Sequence, residues 1–65
     1  MWIKLHDYEF DNEIVVQVLN ICTIEPFVGT AEGCYITFVG SANHYIRVKE
    51  TVDEIEAMIA EWLRR

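Results

Sequence analysis

The sequence predicts an α+β fold in which a small antiparallel β-sheet of about five strands, a meander of hairpins, is followed by one C-terminal α-helix packed on one face of the sheet. Short apolar and β-branched runs recur between turn residues up to Lys49, which is the pattern of several short strands. A Thr-x-x-Glu motif then begins at Thr51, and apolar residues repeat every three or four positions after it. No repeat or composition break divides the chain, so we expect a single domain over residues 1–65.

The first two strands are predicted to form a hairpin. From Trp2 to Asp7, Ile3 and Leu5 alternate with more polar residues, and this period of two is typical of a half-buried strand. The acidic segment 7–13 has no apolar periodicity and is predicted to turn the chain. The second strand is then predicted over Ile14 to Gln17.

Three further strands are predicted along the chain. The apolar pattern shifts its phase over residues 18–20, which predicts a bulge or a single turn. The third strand runs from Ile21 to Glu25, where Pro26 ends it because proline donates no ladder hydrogen bond. The fourth and fifth strands are predicted over Cys34 to Val39 and over His44 to Lys49, with a Gly-Ser-Ala-Asn turn between them.

The C-terminal helix is predicted to begin at a capping box. The Thr51 hydroxyl can accept from the Glu54 amide while the Glu54 carboxylate accepts from the Thr51 amide. The apolar stripe that follows is expected to face the sheet. Its members are Val52, Ile55, Met58, Ile59 and Trp62.

Composition favours self-association and argues against several functions. Hydrophobic residues make up 52% of the 65 residues, which is more than so short a chain can bury in one core. We therefore expect a homo-oligomer, because large exposed apolar patches usually mark interfaces. The net charge of 5 − 11 = −6 would repel a polyanion, so we expect no direct binding of nucleic acid.

The chain is expected to be cytoplasmic and to lack a membrane span. Its longest apolar stretch, Ile14 to Ile24, is interrupted by Gln17 and Asn20 and is too short to cross a bilayer. The N-terminus lacks the pattern of a signal peptide. Two cysteines are too few for a disulfide framework, although one bridge between Cys22 and Cys34 stays open.

The candidate site is the sheet face that the helix does not cover. Strict alternation along the fourth and fifth strands places their aromatic residues on that face, and the outward residues of the first strand can join them. A face of this kind is an interface between subunits, a ligand platform or ordinary exposed sheet. The candidate ligand or interface residues are Trp2, His6, Tyr35, Thr37, Tyr45 and Arg47.

The sequence carries no motif for catalysis, metal binding or a cofactor, and we expect none of the three. His6, His44, Cys22 and Cys34 lack the paired spacing of zinc ligands. Ser41 and His44 are not embedded in a signature of nucleophilic catalysis. The acidic segments have structural explanations as turn and helix-start residues, and the scattered glycines form no phosphate-binding loop.

Several segments resemble the small FlbD-type family of flagellar and swarming-motility proteins. Residues 48–55, VKETVDEI, resemble that family's V-K-E-S/T-x-x-E-hydrophobic segment, and residues 1–5 resemble its M-I-x-L start. Residues 14–25 resemble its F-V-L-N…I…I-E stretch, and Ile36-Thr37 with Gly40 resembles I-T-L-x-x-G. The resemblance implies a non-enzymatic accessory protein, from a group in which similar short chains also occur as bacterial and prophage products.

Three functional hypotheses follow from these observations. The first is a homo-oligomeric accessory or interaction protein. The second is a protein that binds or sequesters a nucleotide-like small molecule between protomers, through Trp2, Tyr35, Tyr45 and Arg47 on a planar or anionic ligand. The third is an acidic inhibitor, of the kind that phages make, that binds a basic partner protein.

Overall fold

Five antiparallel strands in two sheets and one C-terminal helix make up the fold over residues 1–29, 32–40 and 44–64, which the computed structural model describes. The predicted α+β class is thus confirmed, and each strand ends within one residue of its predicted limits. The predicted turn over 40–43 lies outside the described residues except for Gly40. In order, the elements are β1 (Trp2–His6), β2 (Glu13–Gln17), a 3₁₀ turn (Val18–Asn20), β3 (Ile21–Pro26), β4 (Cys34–Phe38), β5 (Tyr45–Val48) and α1 (Val52–Leu63).

The strands form two sheets where a single sheet was predicted. β1 pairs with β2, and β3, β4 and β5 form a separate meander. The two sheets are joined side by side where β1 and β5 end, because Asp7 forms an isolated antiparallel bridge with Val48. Two flanking hydrogen bonds, from Tyr8 N to Arg47 O and from Lys49 N to His6 O, are both 2.9 Å long. The end of β1 therefore continues the order of strands beyond β5.

The phase shift predicted between the second and third strands has two structural components. A single 3₁₀ turn occupies residues 18–20, where the sequence predicted either a bulge or a single turn. The ladder between β3 and β4 then skips one residue, because Ile21 pairs with Phe38 while Thr23 pairs with Thr37. Cys22 is the extra residue, which places it at a β-bulge.

The core lies between the two sheets and the helix. Both sheets contribute their inward residues, and Ile55 is the buried residue of α1. Because side chains alternate along a strand, the inward sets of β1 and β4 are the ones that the apolar pattern predicted. The buried cluster consists of Ile3, Leu5, Val16, Cys34, Ile36, Val48 and Ile55.

The capping box at the start of α1 is confirmed. Thr51 Oγ1 accepts from Glu54 N, and Glu54 Oε1 accepts from Thr51 N, both at 3.1 Å. Of the residues in the predicted apolar stripe, only Ile55 is fully buried, and Trp62 is 36% exposed. No helix in the described ranges is long and apolar enough to cross a membrane.

Candidate interaction surfaces

The structure brings four of the six candidate residues together on the outward face of β4 and β5. Tyr35 is the cross-strand neighbour of Arg47, and Thr37 is the neighbour of Tyr45. Paired residues of antiparallel strands project to the same side of the sheet. We call this surface, Tyr35, Thr37, Tyr45 and Arg47, the aromatic face.

Two aromatic residues that the sequence did not single out extend the aromatic face into a row of four rings. Ring centroids are 5.1 Å apart for Tyr8 and Phe27, 4.6 Å for Phe27 and Tyr35, and 5.1 Å for Tyr35 and Tyr45, all in edge-to-face geometry. Such pairs stabilise beyond the area they bury. Phe27 is only 7% exposed. The protein therefore covers much of this face with its own side chains.

Gly33 makes the burial of Phe27 sterically feasible. A Cβ at this position would lie 2.7 Å from the Phe27 ring and 2.7 Å from Val48 O. Gly33 also has a φ of +79°, which glycine adopts without the strain that other residues incur. A glycine shortly after a loop aromatic was the available sequence signal for this contact, but it is a weak one.

Arg47 is engaged inside the protein. Its guanidinium carbon lies 4.9 Å from the Tyr8 ring centroid and 5.2 Å from that of Phe27. Its Nη1 lies 3.5 Å from Glu9 Oε1. The two aromatic rings and the nearby carboxylate already stabilise the positive charge of the guanidinium, so an external anion would gain less binding energy from it. Arg47 is therefore a weak candidate for holding an anionic ligand.

The accessible part of the aromatic face is its Tyr45 end. Tyr45 is 57% exposed and borders a cleft of about 260 Å³. Thr23 N donates to Thr37 Oγ1 at 3.2 Å, and the two threonine hydroxyls also hydrogen-bond to each other. The residues that line the cleft are Thr23, Glu25, Tyr35, Thr37 and Tyr45.

Trp2 lies on a different surface, beside the end of α1. The Trp62 indole Nε1 donates to Trp2 O at 2.8 Å, and Trp2 itself is 54% exposed. Between β1 and α1 runs a groove of about 480 Å³. Its lining residues are Trp2, Ile3, Lys4, Ala57, Met58, Glu61 and Trp62.

Several exposed apolar residues gather at the same end of the molecule as this groove. Antiparallel pairing places the start of β1, the end of β2, the start of β3 and the end of β4 at one end. Hydrogen bonds from Val18 N to Met1 O and from Val39 N to Asn20 O, 2.9 and 2.8 Å long, link these segments. The exposed large apolar residues there, which we call the apolar end, are Trp2, Leu19, Val39, Trp62 and Leu63.

His6 is held by Glu50 and is separate from the aromatic face. The His6 ring donates from Nδ1 to Glu50 Oε2 at 2.7 Å, and the His6 amide donates to Oε1 at 2.8 Å. Glu50 is 9% exposed and is the buried charged residue of the described part of the chain. The hydrogen bond that the ring donates to Glu50, followed by the negative charge of Glu50, raises the pKa of His6 above the usual value. This pair fixes the end of β1 to the segment that precedes α1.

Among the described residues, the remaining chemical candidates do not assemble into a metal site or carry an activated thiol. Burial, and secondarily the charge of Glu50, raises the pKa of the Cys34 thiol, which keeps it protonated. Cys34 is buried, Cys22 is exposed, and both are free thiols. His44 is exposed, and Ser41 lies outside the described residues. No group of three potential metal ligands occurs among the residues that the structure describes.

The acids of the first turn have structural partners. Each of three acids lies near a cation. The distance is 3.5 Å from Glu9 to Arg47, 3.0 Å from Asp11 to Lys49 and 3.9 Å from Glu13 to Lys4. Asp7 Oδ2 accepts from two amides inside the turn, at 3.1 and 2.8 Å. Hydrogen bonding to Lys49 lowers the pKa of Asp11. This segment is therefore an ion-paired turn.

The segment that carries the family resemblance is also explained by contacts inside the chain. Lys49 pairs with Asp11, Glu50 binds His6, and Thr51 caps α1. Comparison of the chain with family models, with curated proteins and with solved structures found no match. The resemblance to the FlbD-type family thus stays a prediction.

Proposed function

We propose that the protein is a non-enzymatic, homo-oligomeric interaction protein whose copies meet through the apolar end. The observation that carries this proposal is the gathering of Trp2, Leu19, Val39, Trp62 and Leu63 at one end of the molecule, each at least about a third exposed. Contiguous apolar surface on a small protein usually marks an interface. The resemblance to the FlbD-type family supports the same class, a non-enzymatic accessory protein.

The groove beside Trp2 favours a second copy of the chain as the occupant. Its β1 rim carries a cation, Lys4, and its helix rim carries an anion, Glu61. In a two-fold symmetric dimer, a contact from one residue of the first copy to a second residue of its partner is repeated with the two copies exchanged. Lys4 of one copy can therefore face Glu61 of the other, twice over.

Both rim charges are available for such a contact. Lys4 lies 3.9 Å from Glu13, and Glu61 lies 3.8 Å from Arg64, so each existing pair is long and exposed. Surface pairs of this kind contribute little to stability. Exchanging them for pairs between copies costs the monomer little.

The net charge of −6 gives this proposal a distinctive salt dependence. Two copies repel each other overall, and salt screens that repulsion, whereas the apolar contact is not weakened by salt. Self-association should therefore strengthen as salt rises. Binding to a basic partner protein, the alternative for an acidic chain, should weaken instead.

Sedimentation velocity on purified protein over a range of concentrations tests the proposal. We expect the wild type to form a discrete oligomer in the micromolar range and Leu19→Ser/Leu63→Ser to sediment as a monomer. The matched control is Phe10→Ser/Val28→Ser, which removes apolar residues outside the apolar end that are at least about as exposed, and it should leave the oligomer intact. A wild type that stays monomeric at high concentration and high salt would refute the proposal.

A further inference from the structure

We propose that the cleft beside Tyr45 binds a small organic cation, either a protonated amine or a guanidinium group. The proposal concerns the aromatic face and is independent of contacts at the apolar end. Its charge is opposite to that of the anionic ligand that the sequence suggested, and the difference comes from where the charges lie on this face.

The aromatic face already shows how it receives a cation. At one end of the ring row, Arg47 lies over the rings of Tyr8 and Phe27, with Glu9 beside it. In this arrangement the guanidinium carbon lies over aromatic rings, and a carboxylate lies near one of the guanidinium nitrogens. Cations are attracted to ring faces because the π-system carries partial negative charge there.

The other end of the row has the same components without a cation. Tyr35 and Tyr45 border the cleft, and Glu25 is the charged residue in its lining. Glu25 forms no ion pair within residues 1–29, 32–40 and 44–64. Its position opposite Tyr35 in the ladder between β3 and β4 holds the carboxylate on the same side of the sheet as both rings.

The size and the polarity of the cleft limit the ligand. About 260 Å³ lies below the usual range for drug-sized ligands, and it suits a methylated ammonium or a guanidinium head. The hydroxyls of Thr23 and Thr37 are hydrogen-bonded to each other, so the rings and the carboxylate dominate recognition. An anion would meet Glu25 and would be repelled.

Titration of ¹⁵N-labelled protein with N-methylguanidinium, followed by amide chemical shifts, tests the proposal. We expect saturable shifts, with a millimolar-range dissociation constant, at residues 23–25, 35–37 and 45. N-methylurea, which has nearly the same shape and no charge, should cause no saturable shift at these residues. Equal responses to the two compounds, or shifts that do not saturate, would overturn the proposal.

Variants separate the cleft from non-specific attraction to an acidic protein. Glu25→Gln and Tyr45→Leu should each weaken N-methylguanidinium binding about two- to fivefold. The matched controls Glu56→Gln and Phe10→Leu change an exposed acid and an exposed aromatic away from the cleft and should bind as the wild type does. Equal weakening by Glu56→Gln and Glu25→Gln would reduce the effect to net charge and contradict the proposal.

Two further arms identify the source of the cation and separate this proposal from self-association. A capped Gly-Arg-Gly peptide that binds more tightly than N-methylguanidinium supports a side chain of a partner as the ligand, and equal binding supports a free small cation. The titration is repeated on Leu19→Ser/Leu63→Ser. We expect unchanged cation binding there, so that a failure of either proposal leaves the other intact.

Discussion

Glu50 contacts His6 through both of its carboxylate oxygens, one on the ring Nδ1 at 2.7 Å and one on the backbone amide at 2.8 Å. The two residues are 44 positions apart in the chain. Because Glu50 directly precedes the N-cap residue Thr51, this contact fixes the start of α1 relative to the end of β1.

The His6 pair should make stability depend on pH near neutrality. Glu50 raises the folded-state pKa of His6 above the ordinary value of 6.5, so the protonated ring stabilises the folded state. This contribution is fully present below about pH 6.5 and is lost as pH rises through the folded-state pKa. We expect urea unfolding of the wild type to show this loss as the pH rises above about 6.5, and His6→Gln not to show it.

Glu50→Gln is the companion variant for that measurement. It keeps a hydrogen-bond acceptor near the ring and removes the charge, so the pKa of His6, followed by NMR of the ring protons, should fall. A His6 pKa that is the same in Glu50→Gln and in the wild type would contradict the assigned cause.

The Asp11 pair should contribute on the acidic side. Lys49, 3.0 Å away, lowers the folded-state pKa of Asp11 below its ordinary value of 3.8. Its stabilising contribution is therefore present above about pH 3.8 and is lost as pH falls through the lowered pKa. Asp11→Asn should keep the turn, because asparagine tolerates the φ of 59° at this position. Acid unfolding of this variant should have a shallower dependence on pH, whereas an identical acid limb would argue against the pair.

Gly33 and Gly29 offer a matched test of steric contact against backbone strain. Both have φ near +80°, but a Cβ at Gly29 would meet no atom within 4 Å, whereas one at Gly33 would lie 2.7 Å from both Phe27 and Val48 O. Gly29→Ala should lower the free energy of unfolding by about 1 kcal/mol through the left-handed backbone alone. Gly33→Ala should lower it by about 2 to 4 kcal/mol, because a clash is added. Equal losses in urea unfolding would show that Phe27 does not pack against Gly33.

The two cysteines should differ sharply in reactivity. Cys22 is exposed at the bulge in β3, whereas Cys34 is fully buried and burial raises the pKa of its thiol. A disulfide-exchange reagent such as DTNB should therefore titrate one thiol per chain in the native protein and two in denaturant. Cys22→Ser should abolish the native reaction. Rapid reaction of both native thiols would mean that the core opens readily.

Much of the fold could be predicted from local patterns. The alternation of Ile3 and Leu5 and the capping box at Thr51 each depend on residues close in sequence, and the structure contains both. The division into two sheets could not be predicted in this way. It depends on which strands pair along their length, and the one bridge that joins the two sheets, between Asp7 and Val48, links segments so far apart in sequence that no local pattern encodes it.

The candidate surface could likewise be predicted only in part, because local patterns give the strand residues on it but not the loop residues. Alternation placed Tyr35 and Tyr45 on one face, but it carries no information about which loops fold over that face. Phe27 and Tyr8 reach it from turns, where side-chain direction does not follow a period. Trp2 is exposed, as alternation along β1 predicts, but it does not join the aromatic face as expected: it lies beside α1, where Trp62, 60 residues away, donates to its carbonyl.

The joint between β5 and α1 makes each of three consecutive residues dependent on another position of the chain. Substituting one member of such a couple alone leaves its counterpart with an unmatched charge or an uncapped amide. In diverging copies of this gene, these positions should therefore change two at a time, and compensating double substitutions should restore what single ones lose. The couples are Lys49 with Asp11, Glu50 with His6, and Thr51 with Glu54.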